Sequence, residues 1–361
     1  MYNKIYLKHI YNIFISRFII VTVVFSSLIF VLNILEEIKF FSSSEDVGIA
    51  FPIFLTILNL PSILYEIFPF IILITTQFFF IKFQTNAEIL IFRNNGINNL
   101  NIISHLCLLV FAIGIILVFV FHLLSSSMKH SYLELKNKYT QDNKYLAVIN
   151  ENGLWIKDRL NEKIVIIHSE KIDKIILKNV VISTFNEDFV SQENIIAEEA
   201  IIVSNIWDIN KVTLIDESGK KEELENLKFE TNFDYIKINS LFSNLESLNI
   251  FQLYKQKKDF KSVGLSVKDI DIYLNKIFSL PVSLIIYLIL SSILMLNINY
   301  NKSKTFIIIL GILLSVIIYY IYYFFGLLGS SNKVPTLFAI WLPNLVLFLS
   351  CMVGIVNINE K

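Results

Sequence analysis

The chain has 361 residues, of which 55% are hydrophobic and only 17% are charged, whereas roughly 25% of the residues in an ordinary soluble domain are charged. Its 31 basic and 31 acidic side chains cancel, so no basic excess attracts a nucleic acid. The composition therefore excludes an ordinary soluble protein and disfavours a nucleic-acid-binding one.

The charged residues are concentrated in one part of the chain. Of the 62 charged side chains, 44 lie between Lys129 and Asp271. This distribution predicts three parts: an apolar part (residues 1–128), a polar block of domain size (129–271) and a second apolar part (272–361). Both cysteines, Cys107 and Cys351, lie in apolar runs, so we expect no disulfide, no metal site and no cofactor.

Six apolar runs are long enough to cross a membrane, because a helix needs about 20 apolar residues to span a hydrocarbon core about 30 Å thick. Five of these runs contain no Lys, Arg, Asp or Glu. The six predicted spans are residues 18–35, 60–83, 100–124, 277–296, 305–328 and 334–356.

The second run is ambiguous because residues 49–83 carry three prolines. We interpret residues 51–59 as a short interfacial helix and 60–83 as the span, with proline in its first turn. Before the first span, residues 1–16 alternate apolar side chains with Lys and His, which predicts an amphipathic helix on the membrane surface. The first span is too long for a signal sequence and is predicted to be retained.

Lysine and arginine in the short loops predict the orientation. Eight of these residues fall on one side of the six spans, whereas only Lys39 and Lys333 fall on the other. The positive-inside rule therefore places both termini in the cytoplasm and the polar block on the far side of the membrane.

Within the polar block, short segments rich in Ile and Val alternate with polar clusters, a pattern typical of antiparallel strands. The predicted strands are residues 144–149, 163–168, 174–182, 195–203 and 211–215. Their spacing favours a sandwich or a jelly roll, and residues 127–141 and 248–274 are predicted to be helical. The predicted fold class is a membrane α-helical protein with six transmembrane helices and an inserted all-β, jelly-roll-like domain.

The sequence contains no visible catalytic motif. It has no Gly-rich phosphate loop, no His-Glu-x-x-His helix and no Gly-x-Ser-x-Gly elbow, so we predict that the chain is not an enzyme. Glu66 is the ionisable residue placed most clearly at membrane depth, and no basic partner within the membrane is apparent. Two interpretations stay open: its carboxylate reaches water at the interface, or it lines a cavity.

The loop after the second span predicts a short capped helix. Thr85 or Asn86 is a suitable N-cap, Glu88 lies in the first turn, and Gly96 can end the helix. The four consecutive apolar residues 89–92 form a surface that must pack on something. Either the helix lies against the bilayer, or it docks onto a cytoplasmic motor.

Several short motifs follow one another in a characteristic order. They are Leu60-Pro61 and Glu66-Ile67-Phe68-Pro69, Asn86-Ala87-Glu88-Ile89-Leu90 with Gly96, Gly153-Leu154-Trp155-Ile156-Lys157-Asp158, Phe185-Asn186-Glu187, Lys276-Ile277-Phe278-Ser279-Leu280-Pro281, and Leu342-Pro343. Together they resemble the LptF/LptG family, the permease subunits of the lipopolysaccharide-export ABC transporter, over essentially the whole chain. The run that begins at Gly153 is more similar to LptG than to LptF.

The resemblance implies a bacterial inner-membrane permease subunit that extracts lipopolysaccharide, with both termini cytoplasmic and the β domain periplasmic. The implied partners are a cytoplasmic ABC ATPase dimer, a second homologous permease, a periplasmic bridge protein and a small membrane-anchored jelly-roll protein. By position, the residues that couple to the ATPase are Asn86, Glu88, Ile89, Leu90, Phe92, Arg93 and Gly96. The candidates for the lipid cavity are Phe30, Asn33, Glu36, Glu37, Lys39, Glu66, Pro69 and Tyr320.

One region departs from the family pattern. Members often carry a basic residue near the far end of the first span to meet lipid phosphates, but here Asn33 is followed by Glu36 and Glu37. Lys39, the partner permease or bridging divalent cations would then supply the charge, or the lipid carries fewer phosphates.

Two other functions stay open. One is a lipoprotein-release or mechanotransmission-type ABC permease. The other is a non-transporting membrane scaffold or sensor whose periplasmic domain binds a partner.

Overall fold

The structure is a computed structural model in which most of the chain is described. The described residues are 2–42, 48–86, 88–137, 147–150, 153–160, 163–173, 175–186, 190–216, 219–235, 238, 244–262, 266–297, 304–331 and 333–359. Its contacts divide the chain into a membrane unit, Met1–Leu133 with Asp271–Lys361, and a β unit, Glu134–Ile270.

Six long apolar helical segments make up the membrane unit, which confirms the six predicted spans. A helix satisfies its own backbone hydrogen bonds, which lipid cannot do. The segments are α1 (Tyr2–Phe41), α2 (Ala50–Thr85), a third crossing built from α4 (Asn99–Ile116), a π-helical turn (Leu117–Phe121) and α5 (His122–Asn137), then α7 (Lys268–Asn297), α8 (Lys304–Ser330) and α9 (Thr336–Asn359). Two shorter helices, α3 (Glu88–Asn94) and α6 (Ile250–Ser262), lie between them in the sequence.

The first two helices are longer than predicted. α1 is a single helix of 40 residues, or about 60 Å at 1.5 Å per residue, so the separate surface helix predicted for residues 1–16 is wrong. α2 continues through Pro61 and Pro69, so the predicted boundary between residues 51–59 and 60–83 is also wrong. Membrane helices tolerate proline even though it removes a backbone hydrogen bond, because neighbouring helices and hydroxyl side chains satisfy the backbone groups that are left without a partner.

Polar side chains connect the helices of the membrane unit. Buried Gln77 donates from Nε2 to the backbone oxygen of Ile307 at 3.1 Å, and Ser291 donates from Oγ to the backbone oxygen of Leu73 at 2.9 Å. The first contact depends on Gly311, since a Cβ there would clash with the Gln77 amide. Small residues and interhelical hydrogen bonds of this kind hold membrane helices together, and here they join α2 to α7 and α8.

Seven antiparallel strands form one sheet in the β unit, which confirms the predicted inserted β domain. Each strand pairs with the next one along the chain. The strands are β1 (Ala147–Asn150), β2 (Gly153–Leu160), β3 (Lys163–Asp173), β4 (Ile176–Phe185), β5 (Ser191–Ile201), β6 (Ile206–Asp216) and β7 (Lys221–Glu230). The sequence analysis does not predict β2 or β7 as strands. The charged residues of β7 are mostly exposed, as is common in a strand at the edge of a sheet.

A row of irregular positions crosses strands β3 to β7. At each position the flanking residues are paired in register while the position itself is not. Buried residues are three apart there rather than two, as with Leu177 and Val180 in β4. Each irregular position therefore lets residues that are three apart in the sequence face the same core. The positions are Glu170, Asn179, Glu198, Lys211 and Glu225, and both Asn179 and Lys211 have a left-handed φ of 52°.

Asp158 in β2 connects the start of the sheet to the residues that follow its last strand. Its buried carboxylate accepts hydrogen bonds from Oγ1 of Thr231 at 2.7 Å and from the backbone and side-chain nitrogens of Asn232, both at 2.9 Å. These two residues follow β7, which in a flat sheet would lie about 24 Å from β2 at about 4.8 Å per strand. The sheet must therefore curve back on itself, and in this way a single meander encloses a core.

Candidate functional site

The sequence of the short helix α3 provides a contact between side chains at its start and a glycine cap at its end. At its start, Nδ2 of Asn86 donates to Oε1 of Glu88 at 2.9 Å. At its end, Gly96 has a φ of 77°, and the N–H of Ile97 donates to the backbone oxygen of Phe92 at 2.9 Å, the bonding pattern with which a glycine ends a helix. The predicted helix is therefore present and ends at Gly96 as predicted, whereas Asn86 contacts the side chain of Glu88 and not a backbone N–H of the first turn.

One side of α3 packs on α1 and α2. Ile89 is buried. The ring of Phe92 stacks on Phe83 of α2, with centroids 5.6 Å apart, and meets Tyr6 of α1 edge-on at 6.2 Å. These contacts cover part of the apolar surface that the sequence predicts and attach α3 to two membrane helices at once.

The opposite side of α3 keeps an exposed apolar residue. Ile91 is 58% exposed, while Oε2 of Glu88 lies 3.0 Å from Nε2 of His9 on α1. Because this pair is partly exposed, it contributes little to stability. It does connect the start of α3 to α1. The side chains of Leu90 and Arg93 lie outside the described part of the chain.

Glu66 has a partner that the sequence analysis missed. Its Oε1 accepts a hydrogen bond from Nζ of Lys276 on α7 at 2.8 Å, so the expectation of no basic partner is wrong. The two side chains are 43% and 55% exposed, which puts the pair on the surface of the membrane unit. Pairing lowers the cost of a charge at membrane depth.

The far end of α1 has a buried side and an exposed side. Glu37 is 1% exposed, and its Oε1 accepts a hydrogen bond from the hydroxyl of Tyr132 on α5 at 2.8 Å. Asn33, one turn earlier, is also buried, and neither of its amide atoms has a hydrogen-bond partner among the described residues. Glu36 and Lys39 are exposed. Of these four cavity candidates, only Glu36 and Lys39 are accessible from outside the membrane unit.

The remaining cavity candidates lie on three helices. Tyr320 of α8 is 64% exposed, whereas Phe30 of α1 and Pro69 of α2 are half-buried. α1 and α8 also expose apolar side chains along much of their length, a surface that lipid or another apolar helix covers in a membrane. Examples on the two helices are Ile19, Val23, Val31, Leu35, Leu313, Ile317, Tyr323 and Phe324.

A buried polar pair between α2 and the third crossing was also missed. His122 directly follows the π-helical turn, is 2% exposed and meets the ring of Tyr65 at 5.1 Å. Neither its ring nitrogens nor the Tyr65 hydroxyl has a hydrogen-bond partner among the described residues. The signal for this site was a histidine inside an otherwise apolar run, since polar groups at membrane depth are rare.

Together these features define the class of protein. Two groups of three apolar helices flank an antiparallel β domain, and this is the architecture of a multi-pass membrane protein with an inserted domain. A family model described as "Lipopolysaccharide export system permease LptF/LptG" matches residues 8–356. The chain therefore belongs to the LptF/LptG family, whose members are permease subunits and not themselves enzymes, and it is a multi-pass inner-membrane protein. None of the curated proteins compared with the chain matches it.

Proposed function

We propose that the chain is the permease subunit through which a separate cytoplasmic ABC ATPase drives lipopolysaccharide out of the inner membrane and onto a periplasmic bridge. The packing of α3 carries this proposal. α3 ends in a glycine cap, its Phe92 contacts both α1 and α2, and its Ile91 stays exposed. A force applied at Ile91 would be passed to α1 and α2 through the packed side chains of α3.

In this proposal α3 and both termini are cytoplasmic, and residues 129–271 form the periplasmic domain between membrane halves 1–128 and 272–361. The asymmetry of Lys and Arg in the short loops supports this orientation. The ATPase-coupling residues are those of the α3 segment, with Ile91 added because of its exposure. The motif that begins at Gly153 favours the LptG type of subunit.

The proposed lipid site is the outer surface of α1 and α8. Acyl chains need an apolar wall without specific hydrogen bonds, and these two helices supply one. A second homologous permease would close the cavity by covering the same faces. Among the candidates at the far end of α1, exposed Lys39 is the one available to a lipid phosphate.

The first test is whether an ATPase copurifies with the chain in mild detergent and is lost from an Ile91→Glu variant. A glutamate at this position would bury an unpaired charge in the ATPase groove, a cost of several kcal/mol, so we expect at least about a tenfold weaker association, or about 1.4 kcal/mol. Val190→Glu is the matched control, since Val190 is 57% exposed and lies in the β unit.

Two outcomes would contradict the proposal. Unchanged copurification of the Ile91→Glu variant would remove α3 from the coupling role. Absence of any ATPase from the unmodified complex would favour the scaffold or sensor function instead. The lipoprotein-release alternative has less support, because such permeases place their periplasmic domain after the first of four spans, whereas here the β unit follows the third of six.

A further inference from the structure

Helix α6 is a well-defined helix of the β unit that the proposed transport function does not use. It begins with a reciprocal cap, in which the N–H of Asn249 donates to Oε1 of Gln252 and the N–H of Gln252 donates to Oδ1 of Asn249, both at 2.9 Å. Two backbone donors at the helix start are satisfied in this way. The local sequence therefore specifies where α6 begins.

The two sides of α6 differ sharply. Leu253 and Phe260 are buried, and α6 packs against β1. On the other side, Phe251 is 81% exposed and Tyr254 is 52% exposed. Phe251 is more exposed than any other large apolar side chain in the described part of the chain. Because Phe251 and Tyr254 are three residues apart on one helix, their rings are neighbours and form an exposed aromatic patch rather than a single exposed side chain.

The exposed side of α6 is also basic. The helix has four lysines and one aspartate in 13 residues, a local excess in a chain whose net charge is zero. Lys255, Lys258 and Lys261 are exposed. At about 100° per residue, these lysines share an arc of about 120° with Phe251 and Tyr254. We call these five residues the basic aromatic face.

We propose that the basic aromatic face binds the surface of an anionic phospholipid membrane. Phe251 and Tyr254 would enter the interface between headgroups and acyl chains, and the three lysines would contact lipid phosphates. Aromatic rings prefer the membrane interface, and lysine side chains beside them are long enough to place their ammonium groups among lipid phosphates. Tyrosine in particular prefers the interface, since its ring is apolar and its hydroxyl polar.

The covalent connection of α6 favours a membrane over a soluble partner. Residues 263–267 are all that separates its end from the start of α7, the fourth membrane helix. Five residues reach at most about 18 Å when fully extended. A short stretch of chain therefore connects α6 to a membrane helix, which favours a membrane surface over a soluble partner as the occupant of the basic aromatic face.

The contribution of the lysines has a predictable size. A lysine near an anionic membrane surface shifts the equilibrium of a helix between water and the membrane by roughly fivefold. At moderate ionic strength, salt screens this attraction beyond about 10 Å. Reversal of three such charges would abolish the attraction to anionic lipid. Membrane insertion of the chain would be unchanged, because the six spans provide it.

The test uses the full-length protein in nanodiscs, with Cys107 and Cys351 replaced by alanine and a nitroxide label attached at Phe251→Cys. Label accessibility to oxygen and to a water-soluble nickel complex is compared in phosphatidylcholine alone and in a mixture with phosphatidylglycerol. Val203→Cys is the control label site, because Val203 is 63% exposed on the β unit. The same label is then measured with Lys255→Glu, Lys258→Glu and Lys261→Glu combined. A matched charge control combines Lys163→Glu, Lys220→Glu and Lys221→Glu at exposed positions elsewhere in the β unit.

We expect phosphatidylglycerol to lower the nickel accessibility of the label at position 251 severalfold and to raise its oxygen accessibility. High salt and the α6 charge reversal should cancel this change, whereas the control reversal should preserve it and the label at position 203 should not respond. Equal accessibility in both lipid mixtures would overturn the proposal. Immobilisation of the label only when a copurified protein is present would overturn it as well, since it would identify a protein as the occupant. None of these results depends on α3 or on the ATPase, so they test α6 separately from transport.

Discussion

A buried carboxylate in the β unit and a buried Tyr–His pair in the membrane unit differ in their hydrogen bonding. In the β unit, the Asp158 carboxylate is buried and accepts three hydrogen bonds from Thr231 and Asn232. In the membrane unit, the polar atoms of Tyr65 and His122 are equally well buried, and none of them has a hydrogen-bond partner within the described residues. The Asp158 carboxylate is thus paired, whereas the Tyr65 and His122 polar atoms are not, although other buried groups of the membrane unit, such as Gln77 and Ser291, do form hydrogen bonds.

The difference follows from the unfolded state of each unit. An unfolded β domain exposes its polar groups to water, so a buried group that finds no partner on folding loses about 1–3 kcal/mol. Separated membrane helices have no such water in the lipid core, so an unpaired polar group loses less when the helices associate. We therefore expect polar substitutions to be costly in the β unit and mild in the membrane unit.

The largest expected effect is that of Asp158→Ala. It removes the acceptor of three hydrogen bonds and leaves the buried Thr231 hydroxyl without this acceptor, which should destabilise the β unit by about 3–5 kcal/mol. Protease susceptibility and denaturant unfolding of the full-length protein, followed by tryptophan fluorescence, measure the loss. Asp208→Ala is the control, because Asp208 is exposed on β6. Equal stability of the two variants would show that Asp158 does not fasten the sheet.

A smaller loss is expected for Tyr132→Phe, which deletes the hydrogen bond from the Tyr132 hydroxyl to Glu37 between α5 and α1. Hydrogen bonds between membrane helices contribute about 0.6 kcal/mol on average and up to about 1.7 kcal/mol, so we expect a loss of about 1 kcal/mol in thermal or denaturant unfolding in detergent. Tyr323→Phe changes an exposed tyrosine and should have no effect. A loss as large as that of Asp158→Ala would remove the contrast between the two units.

The smallest effect on stability is expected for Tyr65→Phe and His122→Leu. Each substitution removes buried polar atoms that have no hydrogen-bond partner among the described residues, so stability should change by less than about 0.5 kcal/mol or should rise. Ser291→Ala is the control, since it breaks the bond from Ser291 to Leu73 and should cost about 0.6 kcal/mol. A loss above about 1 kcal/mol in either variant would mean that the pair binds water or another ligand.

Local patterns predicted much of the fold and part of the candidate site. The six spans follow from apolar run length alone, and the cap of α3 at Gly96 follows from the need for a left-handed residue at a helix end. Contacts between distant residues were not predictable in this way. Lys276 is 210 residues from Glu66, and nothing near either residue in the sequence indicates the pairing.

Some errors arose where tertiary contacts override local preference. Six of the ten residues in β7 are charged, and such a segment forms a strand only because β6 supplies its hydrogen-bond partners. The rule that proline marks a helix boundary failed at Pro61 and Pro69, because packed membrane helices compensate for the missing hydrogen bond.

The sequence by itself determined which segments enter lipid, which segment forms the inserted domain, where α3 ends and where α6 begins, because these features depend on run length and on caps within a few residues. Only the tertiary structure decided that Asp158 closes the sheet, that Glu66 pairs with Lys276 and that Asn33 and Glu37 are buried while Glu36 and Lys39 are not. The reason is physical. Burial and pairing depend on which distant segments come into contact when the chain folds, and a one-dimensional pattern carries no record of those distances.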